Sequence, residues 1–120
     1  MATYLFICYP KCGTCQKAKS WLDEHNIRYT ERHIVNDPPN EAELSAWQST
    51  SGLPLKRFFN TSGLQYRSLE LSRKLPDMSD SEQIQLLSGN GMLVKRPLLI
   101  SNTNELVVGF KPTEWESFCR

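Results

Sequence analysis

Apolar residues change their spacing several times along the chain, and each change marks an element. Residues 3 to 8 are mostly apolar without clean alternation, the pattern of a strand covered on both faces. From Cys15 to His25 the spacing turns helical. Cys15, Ala18 and Leu22 share one face with Trp21 beside them, and Lys17, Lys19, Asp23 and Glu24 form an exposed face. Asn26 suits a left-handed stop. A second strand is expected over Tyr29 to Val35, ended by Asn36-Asp37-Pro38-Pro39, because proline has no N–H to give to a ladder. Strand, helix and strand in so short a span make a βαβ unit, with parallel strands and a right-handed crossover.

Helical signals dominate from Asn40 onward. Asn40-x-x-Glu43 resembles a capping box and opens a helix that fades near Ser51-Gly52. Leu55 to Asn60 reads as an amphipathic turn or two with Leu55, Phe58 and Phe59 inward, broken at Ser62-Gly63. Leu64 to Leu75 is open between short helices and loop. Ser79-x-x-Glu82 caps a further helix carrying Ile84, Leu86 and Leu87 and stopped by Gly89. Pro97 to Ile100 and Leu106 to Phe110 read as two strands of an antiparallel hairpin, joined by the turn-rich Ser101-Asn102-Thr103-Asn104. Thr113-x-x-Glu116 is expected to cap a last helix with Trp115, Phe118 and Cys119.

The length of 120 residues suits one domain, taken as residues 1–120 with a helical insertion over about 40–90. Charge balance leaves a net +1, and the basic clusters Lys56-Arg57 and Lys95-Arg96 are only pairs, so direct nucleic-acid binding has no electrostatic footing. Four spread cysteines, no leader pattern and no apolar run of about 18 residues point away from secretion and membranes, toward a reducing cytoplasm.

Cys12-Gly13-Thr14-Cys15 carries the chemistry, because it stands where the first strand hands over to the first helix. Unpaired N–H groups and the helix dipole favour an anionic sulfur at the helix mouth, so Cys12 is the candidate nucleophile. The N–H groups of Gly13 to Cys15 make an oxyanion-binding nest, which Gly13 lets a ligand approach closely. Thr14 either donates to the Cys12 sulfur or simply starts the helix. Cys15 lies three residues on, on the same face and within disulfide reach, so it can resolve an adduct on Cys12.

Two other readings compete: half a zinc site, or two inert thiols. Zinc needs about four ligands, and Cys8, His25, His33 and Cys119 stand singly. The redox reading requires no metal or organic cofactor. Cys8 reads as a small buried hydrophobe, Cys119 as a spare thiol, and Trp21, Trp47 and Trp115 as core anchors. The element order with Cys-x-x-Cys after the first strand is an α/β, thioredoxin-like arrangement: a mixed four-stranded sheet with helices inserted between the second and third strands.

Four segments bring a family into view. They are residues 9–15 (Tyr9-Pro10-Lys11-Cys12-Gly13-Thr14-Cys15), Asn36-Asp37-Pro38-Pro39, residues 53–60 (Leu53-Pro54-Leu55-Lys56-Arg57-Phe58-Phe59-Asn60) and residues 93–98 (Leu93-Val94-Lys95-Arg96-Pro97-Leu98). With them the chain resembles the arsenate reductase (ArsC) and Spx family over essentially its whole length. In the glutaredoxin-coupled reductases the resemblance implies that the first cysteine attacks an oxyanion held by three arginines. Cys12 matches that nucleophile, and Arg96 matches the arginine before a proline. Asn60 and Lys111 stand where the other two arginines are expected, and neither reproduces the bidentate guanidinium fork. Pro97 is implied to be cis and to face the motif.

Cys15 gives the chain the dithiol of the Spx branch. The resemblance therefore implies one of two functions. One is a thiol-dependent oxidoreductase acting on a small oxyanion or disulfide, with glutaredoxin and glutathione, or thioredoxin, as reductant. The other is a redox-gated regulator that docks on RNA polymerase, at the C-terminal domain of its α subunit. Gly52 lies about two residues from a glycine important to that docking.

Overall fold

The computed structural model describes residues 3–119. Its elements are β1 (Tyr4–Cys8), α1 (Gly13–Glu24), β2 (Tyr29–His33), α2 (Glu41–Ser51), α3 (Leu64–Ser68), α4 (Leu71–Lys74), α5 (Asp80–Ser88), β3 (Leu98–Ile100), β4 (Leu106–Val108) and α6 (Pro112–Phe118). The strands form one mixed sheet in the order β2-β1-β3-β4, with β1 parallel to β2 and antiparallel to β3. This is the thioredoxin-like α/β class expected from the element order.

The residues gather into two compact units. One takes the chain up to His33 and again from Arg96 onward, and the other is Ile34–Lys95. The first holds the sheet, α1 and α6. On one face of its sheet Phe6, Cys8, Leu99 and Val107 pack with Cys15, Ala18 and Leu22 of α1 and with Trp115 of α6. Trp115 is fully buried and donates its indole N–H to the Gly109 carbonyl at 2.9 Å, so its one polar atom is satisfied. Phe6, Trp21 and Phe110 meet it edge to face, at centroid distances of 6.3, 6.0 and 4.9 Å.

In the second unit both cap signals are realised as reciprocal boxes, Asn40 with Glu43 and Ser79 with Glu82. α2 ends at Gly52 in the left-handed region (φ 70°). A 3-10 turn over Leu55–Phe58 buries Leu55 and Phe58. The open segment resolves into α3 and α4, joined through Glu70 at φ 54°, and a 3-10 turn at Leu75–Asp77. Tyr66, Leu71 and Leu75 are buried there, whereas Leu64 is 82% exposed. An antiparallel bridge joins Phe59 to Val94, and Phe58 O accepts from Lys95 N at 2.8 Å.

Three expected boundaries differ. β2 stops at His33, two residues short of Val35, because its ladder partner β1 stops at Cys8, which pairs with His33. The hairpin strands are shorter than expected. Pro97 has no N–H for the ladder, although its carbonyl accepts from Gly109 N at 2.8 Å, and the chain turns at Gly109 (φ 76°). α6 begins at Pro112 with Lys111 at the cap position, so Thr113 lies inside the first turn and does not cap it. Proline serves at that position because its missing N–H would find no partner there anyway.

Trp115→Ala is expected to cost about 3–5 kcal/mol in denaturant unfolding. At Gly91 an added Cβ would lie 2.0 Å from the Ile34 carbonyl oxygen, so Gly91→Ala should cost about 1–3 kcal/mol. At Gly13 nothing lies within 4 Å of such a carbon, and Gly13→Ala should leave stability within about 0.5 kcal/mol of the wild type.

Candidate functional site

The site grows from the end of β1. After Cys8 the chain turns through Tyr9, Pro10 and Lys11, and two hydrogen bonds hold the turn. Cys12 N donates to Tyr9 O at 2.9 Å, and the Gln16 side chain donates to Pro10 O at 3.0 Å. Cys12 is the N-cap of α1, in extended backbone (φ −86°, ψ 123°), half-buried. Its carbonyl accepts from Gln16 N at 3.1 Å, while Gly13 and Thr14 lie exposed on the first turn. No acidic residue stands in that turn, so no carboxylate competes there for the N–H groups and the positive end of the dipole.

Cys15 sits one turn inside and is only 2% exposed. Its sulfur accepts the Tyr9 N–H at 3.3 Å. Its pKa is lowered to about 6, chiefly by a hydrogen bond from the Cys8 thiol. Burial opposes the shift, and the Tyr9 N–H, the Cys12 thiol and the field of Arg96 add to it. Cys8 is pushed up in turn, by that same bond to Cys15, by burial and by its bond to Glu31. The Cys8 sulfur donates to Glu31 Oε2 at 3.4 Å, and Glu31 Oε1 pairs with Lys19 Nζ at 2.9 Å. All four cysteines are free thiols.

Arg96 is half-buried, its guanidinium carbon 5.2 Å from the centroid of the Tyr9 ring. Tyr9 in turn stands edge-on to His33 at 5.8 Å. Stacking on Tyr9 holds the arginine at the turn between Cys8 and Cys12, which accounts for its effect on Cys15. The Arg96–Pro97 peptide is cis, and Pro97 is buried. Lys111 is exposed at the start of α6. Asn60 belongs to the helical unit, where its N–H donates to Leu93 O at 2.7 Å and its side-chain oxygen accepts from Ser62 Oγ at 3.4 Å. Among the described residues no group of three or more His, Cys, Asp or Glu is arranged to hold a metal ion, and no helix is long and apolar enough to cross a membrane.

Three participants escape a linear reading: Tyr9, Glu31 and the thiol of Cys8. Strand register supplies the missing signal. Phe6 pairs with Glu31 and Cys8 with His33, so once Phe6 and Cys8 face α1, Glu31 faces it too and meets Lys19.

Sheet order, the Cys-x-x-Cys at a strand-to-helix turn and the proline before β3 define a thioredoxin-like dithiol protein. Residues 8–118 match the model of the ArsC family, and the chain belongs to that family. Among its relatives, the uncharacterized protein YusI of Bacillus subtilis is 52% identical over 92% of this chain and 93% of its own length. The regulatory protein MgsR of the same organism is 32% identical over 91% and 84%, and the global transcriptional regulator Spx of Streptococcus mutans 28% over 91% and 77%. A crystal structure of an ArsC family related protein from Bacteroides fragilis superimposes with a TM-score of 0.91 at 59% identity, covering 95% of each chain. That of a "possible arsenate reductase" from Streptococcus mutans gives 0.86 at 43%, covering 92% and 93%.

The Cys15 thiolate should be lost as pH falls through about 6, since protonation removes the acceptor that its neighbours stabilise. An NMR titration of the Cys15 β-carbon in the reduced protein measures this; a midpoint near the usual thiol value of about 8.5 contradicts it.

Proposed function

We propose that this protein is a thiol-dependent oxidoreductase in which Cys12 is the attacking sulfur and Cys15 the resolving one. The observation that carries the reading is the division of labour by access: Cys12 caps α1 half-exposed, while Cys15 is buried one turn below. An outside substrate reaches Cys12 first, however well the inner sulfur is ionised. Cys12 attacks a disulfide, forming a mixed disulfide and releasing one thiolate. The Cys15 thiolate then attacks the Cys12 sulfur, the Cys12–Cys15 bond forms, and the second substrate thiolate leaves. Two electrons from glutathione with glutaredoxin, or from thioredoxin, restore both thiols.

Substrate preference follows from the cations. Arsenate needs charge spread over several oxygens, and a single guanidinium, Arg96, with Asn60 and Lys111 at the other two family positions, offers fewer forked donors than three arginines. A disulfide needs no such cradle. The reading therefore places disulfides ahead of oxyanions, within one cytoplasmic domain of residues 1–120.

The kinship with MgsR and Spx supports a second reading, a redox-gated regulator that docks on the α subunit of RNA polymerase. Gly52, exposed at the left-handed end of α2, stands near the docking glycine that the Spx resemblance implies.

Turnover of a model disulfide with either reductant system should fall at least about 100-fold in Cys12→Ser. Cys15→Ser should instead accumulate the mixed disulfide on Cys12, visible by intact mass. Undiminished turnover in Cys12→Ser overturns the enzyme reading. Redox-dependent retention of the polymerase domain, in a protein that turns over no disulfide, decides for the regulator.

A further inference from the structure

Cys8 is a buried titratable group to which the dithiol chemistry gives no task. Its thiol carries one proton, which it gives to Glu31 Oε2 at 3.4 Å, and the Cys15 sulfur, packed with it in the same buried cluster, is the competing acceptor. Glu31 is anchored from the solvent side by Lys19 at 2.9 Å. A line of hydrogen bonds and one ion pair thus joins a surface lysine to the buried sulfur. One S–H proton serves only one acceptor well at a time, so what Glu31 gains Cys15 loses.

We propose that Cys8 is a positioning residue for the dithiol reaction: it shares its proton between Cys15 and Glu31 and so governs when Cys15 is an anion. This rests on the reading of Cys12 and Cys15 as a reactive pair. In the reduced protein Cys8 donates to Glu31 while Cys15 keeps its own proton, and turns to the Cys15 sulfur as that thiol ionises. When Cys15 attacks the Cys12 sulfur of a mixed disulfide, the Cys12–Cys15 bond forms and the bond to the substrate sulfur breaks. The electron pair leaves with the substrate thiolate, which takes its proton from water. Cys15 is then neutral, and the Cys8 proton turns to Glu31. Cys8 loses no proton and is not oxidised. Reduction of the disulfide by the thiol reductant returns the charge to Cys15 and the donor to it.

Groups from every neighbouring element face this proton. β2 contributes Glu31, Tyr29 and the register partner His33. The helix side contributes Cys12 at the cap, Cys15, Lys19 and, through Glu31, Asp23. The turn before β3 contributes Arg96. Lys19 and Arg96 favour negative charge in the line, and Asp23 opposes it. The pKa of Glu31 is itself lowered, first by Lys19, so the carboxylate remains an acceptor throughout the range in which Cys15 titrates.

The test is an NMR titration of the Cys15 β-carbon in the full-length reduced protein. Cys8→Ala should raise the midpoint by about one pH unit, and Cys8→Ser, which keeps a donor, should restore most of it. Glu31→Gln removes the competing anion and should lower the midpoint; this position is exposed on an edge strand and decides alone if Cys8→Ala does not fold. An unmoved midpoint in folded Cys8→Ala, or an upward move in Glu31→Gln, overturns the proposal. Unmoved midpoints beside Cys12-dependent turnover defeat the proton sharing and spare the dithiol reading. The ordered shifts beside turnover independent of Cys12 defeat only that reading.

Discussion

Parallel pairing of β1 with β2 is the constraint on which the site depends. The ladder runs from Tyr4–Tyr29 to Cys8–His33 and stops there. Its end leaves Cys8 as the last strand residue, releases the chain into the turn at Tyr9 to Lys11, and lets α1 begin after Cys12. Side-chain alternation then puts Phe6 and Cys8 on the α1 face, and register puts Glu31 on that face beside them. A slip of one residue would exchange the two faces and separate Glu31 from Cys8. Pairing that looks like scaffold therefore decides which groups meet the inner sulfur.

Opposed effects meet at Cys15. Burial alone would raise its pKa, as it helps to raise that of Cys8. Donors from Cys8, Tyr9 and Cys12 and the charge of Arg96 reverse the sign, and the result lies near 6. The same packing that takes the sulfur out of water brings those donors to it. Cys12 differs in access, at an open helix start with exposed Gly13 and Thr14 beside it. One sulfur is reachable and the other is ionised, a combination suited to sequential attack and resolution.

Family membership does not choose between catalysis and regulation, because relatives named for either share the family and the fold. The cation set is the informative departure. Arg96 remains, held over Tyr9, while Asn60 is engaged with Leu93 and Ser62 in the helical unit. A neutral amide bonded to its own loop brings no charge to an oxyanion, which is why the proposed chemistry is that of thiols.

Much of the fold was legible because it is written locally. Helical spacing of Cys15, Ala18 and Leu22, the caps at Asn40 and Ser79 and the left-handed Asn26 each act within a few residues, and the structure realises all of them. The Cys-x-x-Cys was legible for the same reason, since a helix start carries its own electrostatics. Boundaries set by a distant partner were not: β2 ends where β1 ends, and α6 starts at Pro112 before Thr113 can cap it. The same holds for the surroundings of the sulfurs. Cys8 reads as a plain hydrophobe along the chain, and only strand register and the packing of α1 give its proton Glu31 as an acceptor and set the Cys15 sulfur in the same cluster. Local order follows from nearest neighbours in the chain, whereas the ionisation of a buried thiol follows from neighbours in space.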